Sequence, residues 1–351
     1  MTICYFGSYN QSYARNRIII KGLQKNDIKI IECRDSSPLP QKIIKLFIRH
    51  WRIRKDYDVM IVGFPGQGMT LLAKVLTRKP VVLDAFYSLY NTIVEDRKLH
   101  NKFSLVGIYN YLLDWLSIRA ADRVLLDTQQ HIDYFCSTFG TTAKKFTKVW
   151  IGADTDIFQP NYYTPTHDKL VVGFQGTFVP LQGVEYIIRA AALIENEDIE
   201  FLIVGIGQTL KQAKELAQNL KLAHVTFHEK RMPPDEVPLW VAKMDICLGI
   251  FGNTTKTKLV IPNKVYEYLA MEKPVITADT PAIRELFDET ELMLVPTASP
   301  ESIAQAIITL KENPILSQKI ARQGYGKFSA SAAPESIGKN LKSVLTCLIQ
   351  P

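Results

Sequence analysis

Lys264 and Glu267 stand three residues apart in the stretch Ile261–Glu285, IPNKVYEYLAMEKPVITADTPAIRE. That spacing puts a cation and a carboxylate on one face of a helix. Pro262 sets the turn before the helix and Asn263 opens it. The lysine therefore sits where unbonded backbone N–H groups already favour an anion such as a phosphate. A carboxylate one turn further on can accept hydrogen bonds from two adjacent sugar hydroxyls. Taken alone, the spacing also fits a solvated surface pair worth about 0.2–0.5 kcal/mol. Its place favours the first reading, because the helix opens just before a strand–helix crossover: Lys273 and Pro274 lead into the apolar run Val275–Thr277, and Ala278–Pro281 start the next helix.

The elements that must hold this pair follow a repeated rhythm of short apolar run, turn and amphipathic helix. Strands are predicted at Thr2–Phe6, Ile28–Cys33, Val59–Val62, Pro80–Leu83, Val124–Leu126 and Val149–Ile151, and again at Leu170–Phe174, Phe201–Val204, Val225–Phe227, Ile246–Leu248, Val275–Thr277 and Leu292–Val295. Helices are predicted between them, among them Ala14–Leu23, Gln41–Arg54, 183–194, 209–220, 263–271, 281–287 and 301–312. Strands alternating with helices make parallel sheets covered on both faces. Residues 158–169, FQPNYYTPTHDK, hold two prolines and no apolar period, which reads as a linker. The expected architecture is α/β: two Rossmann-like, doubly wound parallel-sheet domains, 1–160 and 161–330, facing a cleft. A helix within 331–351 is expected to pack back on the first domain. In such sheets ligands bind beyond the carboxyl ends of the strands.

A chain of 351 residues, 47% apolar, suits two cores rather than one. The five cysteines, Cys4, Cys33, Cys136, Cys247 and Cys347, are scattered with no CxxC pair, as in a reduced cytosolic protein. His50, His131, His167, His224 and His228 show no metal-ligand spacing. The opening MTICYFGSYN has no basic segment followed by an apolar run, and no window approaches the ~20 apolar residues of a membrane span. The net charge of +7 is uneven: residues 1–160 carry 23 Lys and Arg against 14 Asp and Glu. An anionic partner of that half is expected: a lipid surface, a phosphorylated acceptor or nucleic acid.

The run PNKVYEYLAMEKPVITADTPAIRE resembles the donor-binding signature of family 4-like glycosyltransferases of GT-B fold, which read P-x-K-x-x-E-Y/A-x-A-x-G-x-P-V-I at this place. FQGTFVPLQGVEYIIRAA, FLIVGIG and VTFHEKRMPPDEVPLWVAKMDICLGIF resemble the neighbouring segments of the same domain. DRVLLDTQQHIDYF and VWIGADTDIFQP resemble the end of the preceding one. The resemblance covers most of residues 120–330. It implies a retaining transfer from a nucleotide-activated sugar (a UDP- or GDP-sugar) without a metal ion or other cofactor. It also implies roles: Glu267 on the ribose hydroxyls, Lys264 near the diphosphate with Asn263 beside it, Gly176 and Thr177 at a glycine-rich turn facing the phosphates, and Thr280 meeting the sugar through backbone amides. Departures from the family's usual residues fall among the donor contacts. Leu259 replaces the first acid of an E-x7-E pair, and Thr177 and Gln182 replace the usual arginine and lysine. A diphosphate held without cations is costly in a partly dry site. Arg231, Lys256, Lys258 and Lys264 are the candidates to replace them.

On the acceptor side, Gly7 and Ser8 follow the first strand, where small residues free backbone N–H groups, and Arg15 and Arg17 stand in the next turns. Gly63–Gly68, GFPGQG, has similar logic but is no P-loop. Asp84 ends the fourth strand, where a carboxylate could orient an acceptor hydroxyl or take its proton; it could equally cap the following turn. Asp127 is a weaker candidate, and Asp96 and Arg97 fall in a loop. In residues 41–55, Ile43, Ile44, Phe47, Ile48 and Trp51 share one face and Lys42, Lys45, Arg49 and Arg52 the opposite one. That pattern suits either an interfacial helix on anionic lipid or an ordinary helix packed on a sheet.

The expected activity is sugar transfer from a nucleotide-sugar to a hydroxyl acceptor, such as a lipid-linked or cell-surface glycan precursor, in the cytoplasm or at the inner face of its membrane. The alternatives are a degenerate sugar-nucleotide binder, a sugar-nucleotide epimerase, and a basic protein of nucleic-acid or membrane surfaces. Basic and aromatic residues do not alternate as a nucleic-acid stacking groove needs, so no nucleic acid is expected.

Overall fold

Thr2–Gly7, uncharged and almost wholly buried, forms β1 at the heart of a parallel sheet in the computed structural model, which describes residues 1–160, 168–195 and 198–349. The described chain divides into two units. The first comprises residues 1–152 and 333–349, the second 153–332. Seven residues of the expected linker, 161–167, lie outside the described residues.

In the first unit, β1 pairs with β2 (Lys29–Arg34) and β3 (Val59–Val62), and the order continues through β4 (Val81–Phe86), β5 (Arg123–Leu126) and β6 (Phe146–Lys148). All the pairings are parallel, as the alternating pattern requires. The last strand lies just before the expected Val149–Ile151. Between the strands run α1 (Ala14–Lys25), α2 (Gln41–Ile53), α3 (Gln67–Leu76), α4 (Leu105–Ala120) and α5 (Gln129–Phe139). The order reverses between β1 and β3, where Gly7 and Gly63 stand. Gly63 donates its N–H to the Phe6 carbonyl.

The second unit repeats the plan. Its order is β12-β11-β10-β7-β8-β9, for β7 (Leu170–Phe178), β8 (Ile199–Gly207), β9 (Val225–His228), β10 (Ile246–Leu248), β11 (Val275–Ala278) and β12 (Met293–Val295). Its helices are α6 (Val184–Leu193), α7 (Leu210–Asn219), α8 (Val237–Val241), α9 (Asn263–Ala270), α10 (Pro281–Arg284), α11 (Pro300–Glu312) and α12 (Pro314–Ser331). The reversal falls between β7 and β10, so the carboxyl end of β7 and the helix that follows β10 meet at the place where doubly wound sheets bind ligands. Two doubly wound parallel sheets are what the sequence pattern predicts.

The tail forms α13 (Pro334–Ile349), which returns to the first unit and lies against α1. The two helices touch backbone to backbone: a Cβ on Gly338 would fall 1.9 Å from the Gly22 carbonyl oxygen. Ile337, Leu341 and Leu345 join Ile18, Ile19 and Leu23 in one core, and Asn26 donates to the Glu335 carbonyl at 2.9 Å.

Candidate functional site

The residues expected on the donor side gather at the β7–β10 reversal. Pro262, extended, ends the loop after β10, and α9 starts at Asn263 with no side chain capping it. Its first backbone N–H groups therefore keep the partial positive charge of an uncapped helix start. Lys264, second in the helix, turns inward and is only 4% exposed. Its Nζ donates to Gln182 Oε1 at 2.5 Å and stands 3.5 Å from the centroid of the Phe174 ring. Burial pushes the Lys264 ammonium well below the usual lysine range, with the nearby Glu267 carboxylate opposing.

The end of β7 is shaped around that ammonium. Gly176 has φ +156°, and a Cβ there would lie 2.6 Å from Lys264 Nζ. The backbone angle favours glycine, and a Cβ would have to displace the lysine's end. Glu267, one helical turn beyond the lysine and half-buried, accepts a hydrogen bond from Gln175 Nε2 at 2.8 Å. The Gln175 backbone N–H donates to Tyr268 Oη at 3.0 Å. One strand residue thus fixes both the carboxylate and the helix that carries it.

Of the expected donor residues, the structure brings Gly176, Gln182, Lys264 and Glu267 into one cluster. Asn263 is half-buried beside it in the first turn of α9, and Thr177 is exposed at the end of β7. Arg231 lies exposed after β9. Lys256 is buried in a short turn ahead of α9, and Lys258 is exposed. Thr280 is buried and caps α10, its Oγ1 accepting the Ile283 N–H at 3.2 Å, so its side chain is committed to the helix. Leu259, where the resembling pattern has an acid, is a buried apolar side chain.

The acceptor-side expectations change more. Arg15 and Asp84, expected as a phosphate-loop cation and a cleft carboxylate, are bound to each other, and both are wholly buried. Arg15 Nη2 meets Asp84 Oδ1 at 2.9 Å, its Nε meets both carboxylate oxygens at 3.1 Å, and its Nη1 donates to the Val149 and Trp150 carbonyls. The physical reason is burial: a carboxylate removed from water demands a hydrogen-bonded counter-charge. Burial raises the Asp84 pKa and Arg15 opposes it. With both oxygens engaged, Asp84 is corrected from an open base to half of a structural ion pair. Gly7 is buried with φ +127°, and Ser8 beside it is half-buried.

Sequence reasoning missed Gln175, Tyr268 and Phe174. Asp127, expected as a weaker candidate, proves to form a second buried couple with His131 at the carboxyl end of β5. His131 Nδ1 is bonded to Asp127 Oδ1, while His131 Nε2 and Asp127 Oδ2 have no hydrogen-bond partner in the structure. The i,i+4 spacing of Asp127 and His131 around the Thr128 cap was the available signal.

Comparison with known proteins follows the same division. The model of the family described as glycosyl transferases group 1 matches residues 169–313. A probable glycosyltransferase, WbjE, of Pseudomonas aeruginosa is 27% identical over 173 residues, covering 46% of this chain and 42% of that protein. The D-inositol 3-phosphate glycosyltransferase of Kribbella flavida is 24% identical over 217 residues, covering 56% and 50%. The chain thus spans about half the length of the curated relatives it matches. Among solved structures, Anabaena HepE in complex with UDP and glucose superimposes with a TM-score of 0.73 at 15% identity, covering 99% of this chain and 100% of that one. The sucrose-phosphate synthase of Thermosynechococcus elongatus gives 0.75 at 12% identity, with 99% of each chain covered. These likenesses show the fold.

Proposed function

We propose that this chain, whose residues 169–313 match the model of the glycosyl transferases group 1, moves a sugar from a nucleotide-sugar donor onto a hydroxyl acceptor. The observation that carries the reading is the Lys264–Gln182–Gly176 cluster beside the uncapped start of α9, with Glu267 one turn away. The ammonium and the helix N–H groups take the diphosphate, and Glu267 takes the ribose hydroxyls. Gln175 holds the carboxylate in its orientation for that contact. UDP complexes of the HepE neighbour fit a uridine nucleotide.

As the sugar leaves, negative charge grows on the diphosphate. Preformed donors stabilise that charge without reorganising, which lowers the barrier of the transfer step. The reaction is retaining, as the resemblance implies, and needs neither metal nor other cofactor. The acceptor is a lipid-linked or cell-surface glycan precursor, and residues 41–55 rest on the anionic membrane that carries it, at its cytoplasmic face.

The buried Leu259, with Thr177 and Gln182, favours one rival, a protein that binds sugar nucleotides without turning them over. Thermal-shift screening with UDP-, GDP- and ADP-sugars, followed by a transfer assay with the best ligand, separates the two. Stabilisation with turnover supports the transferase. Stabilisation without turnover on any hydroxyl acceptor supports the rival. No stabilisation by any sugar nucleotide refutes both.

A further inference from the structure

Helix α4 buries more polar and small residues than apolar ones. Gly107, Asn110, Asp114 and Ser117 are buried beside a single buried apolar side chain, Ile118, with Tyr111 and Trp115 half-buried against the same core, and the Asp114 carboxylate accepts hydrogen bonds from Ser88 Oγ at 2.7 Å and the Tyr90 N–H at 3.0 Å. Its outer face shows Leu105, Ile108, Tyr109, Leu112 and Leu116 to solvent. A soluble helix normally turns polar residues to that face.

Helix α2 is unusual in the same sense. It packs inward through Leu46 and His50, the latter bonded to Tyr57 Oη at 2.8 Å. The apolar face named from the sequence is left outside, with Phe47 and Trp51 stacked at 6.2 Å and the Arg54 guanidinium 3.9 Å above the Trp51 ring. Between them α3, which touches both, exposes Leu71 and Val75. Of the 23 large apolar side chains exposed among the described residues, 16 fall between Leu39 and Leu116. Patches of that extent mark an interaction surface.

The charge on this layer selects the occupant. From Ser36 to Lys55 the chain has six Lys and Arg and no acid, and from Lys98 to Leu113 it has two lysines and no acid. Arg49, Arg52, Arg54, Lys55, Lys98 and Lys102 are exposed. A second copy of this face would set cations against cations, whereas an anionic bilayer offers both an acyl boundary and counter-charge. No helix among the described residues is long and apolar enough to cross a membrane. We propose that α2, α3 and α4 together form one interfacial face that lies on anionic lipid. The apolar side chains enter the headgroup boundary and the Lys and Arg side chains lie against phosphates. This extends the contact of residues 41–55 to a second helix, and it stands whether or not the protein transfers sugar.

The test is co-sedimentation of the full chain with phosphatidylcholine vesicles, with and without phosphatidylglycerol. The chain should bind the anionic vesicles, release in high salt, and bind pure phosphatidylcholine weakly. Tyr109→Glu, on α4, should lower partition by about tenfold with an unchanged melting temperature. Arg52→Gln should lower it about fivefold. Three outcomes overturn the proposal: no binding to anionic vesicles, binding of Tyr109→Glu equal to the parent chain, or a lipid-free dimer that the same substitution dissolves.

Discussion

Lys264 Nζ donates to Gln182 Oε1 at 2.5 Å, so the one wholly enclosed ammonium of the donor cluster is held by a neutral amide. Where the resembling pattern sets a second cation, this chain has an acceptor that aims the first. Charged hydrogen bonds contribute about 1.5–3 kcal/mol. Lys264→Met should therefore weaken UDP-sugar binding by roughly ten- to hundredfold by titration calorimetry, at little cost in thermal stability. Wild-type affinity in that variant would remove the lysine from the site.

On the proposed function, the same burial makes donor binding depend on pH. Burial makes the free site hold the Lys264 proton less tightly than a lysine in water holds its own, and a bound diphosphate favours the charged form. Binding should thus draw in a proton, and affinity should fall as pH rises from the lowered pKa of the free site toward that of the complex. Calorimetry in buffers of different ionisation enthalpy reads the uptake directly. A binding heat independent of buffer would contradict it.

Gly176→Ala asks for a Cβ 2.6 Å from the ammonium at φ +156°. The lysine must move or the strand end must shift. The expected result is loss of donor affinity with about 1–3 kcal/mol of stability. Unchanged binding would mean that the lysine's present place is not the one that matters.

Asp84 and Arg15 separate structural from catalytic roles. Asp84→Ala leaves a buried guanidinium unpaired and should cost about 3–5 kcal/mol in urea unfolding. The double variant Arg15→Met/Asp84→Leu should recover much of that loss. If Asp84→Asn instead kept its stability and lost all turnover, Asp84 would return to the reaction.

Asp114, on the inner face of α4, is pushed by burial from 3.8 up to about 6, with Ser88 and the Tyr90 N–H opposing. In that window the folded chain binds more protons than the unfolded one, so stability falls as pH rises from about 4 to 6. Asp114→Asn, which cannot ionise, should flatten this slope in urea titrations. A slope unaltered by the substitution would assign it to other groups.

The sheets were legible because buried parallel strands read as short apolar runs, such as Val59–Val62 and Val275–Ala278. Lys264 and Glu267 were legible because one helix sets their spacing. Gln175 was not, since its contact with Glu267 spans 92 residues and depends on how β7 meets α9. Nor was the Arg15–Asp84 pair, 69 residues apart, whose members each looked like a free polar group after a strand. Helix α4 was not legible because its apolar residues lie on both sides, Leu105, Ile108, Leu112 and Leu116 outward and Ile118 inward, while Asn110 and Asp114 are buried, so no single apolar stripe marks it.

The return of α13 to α1 also bears on synthesis at the ribosome. Leu341 and Leu345 fill a core begun by Ile18 and Leu23, so the unit of residues 1–152 lacks part of its core until α13 has been made, while the strands of the other unit all lie between them in the chain.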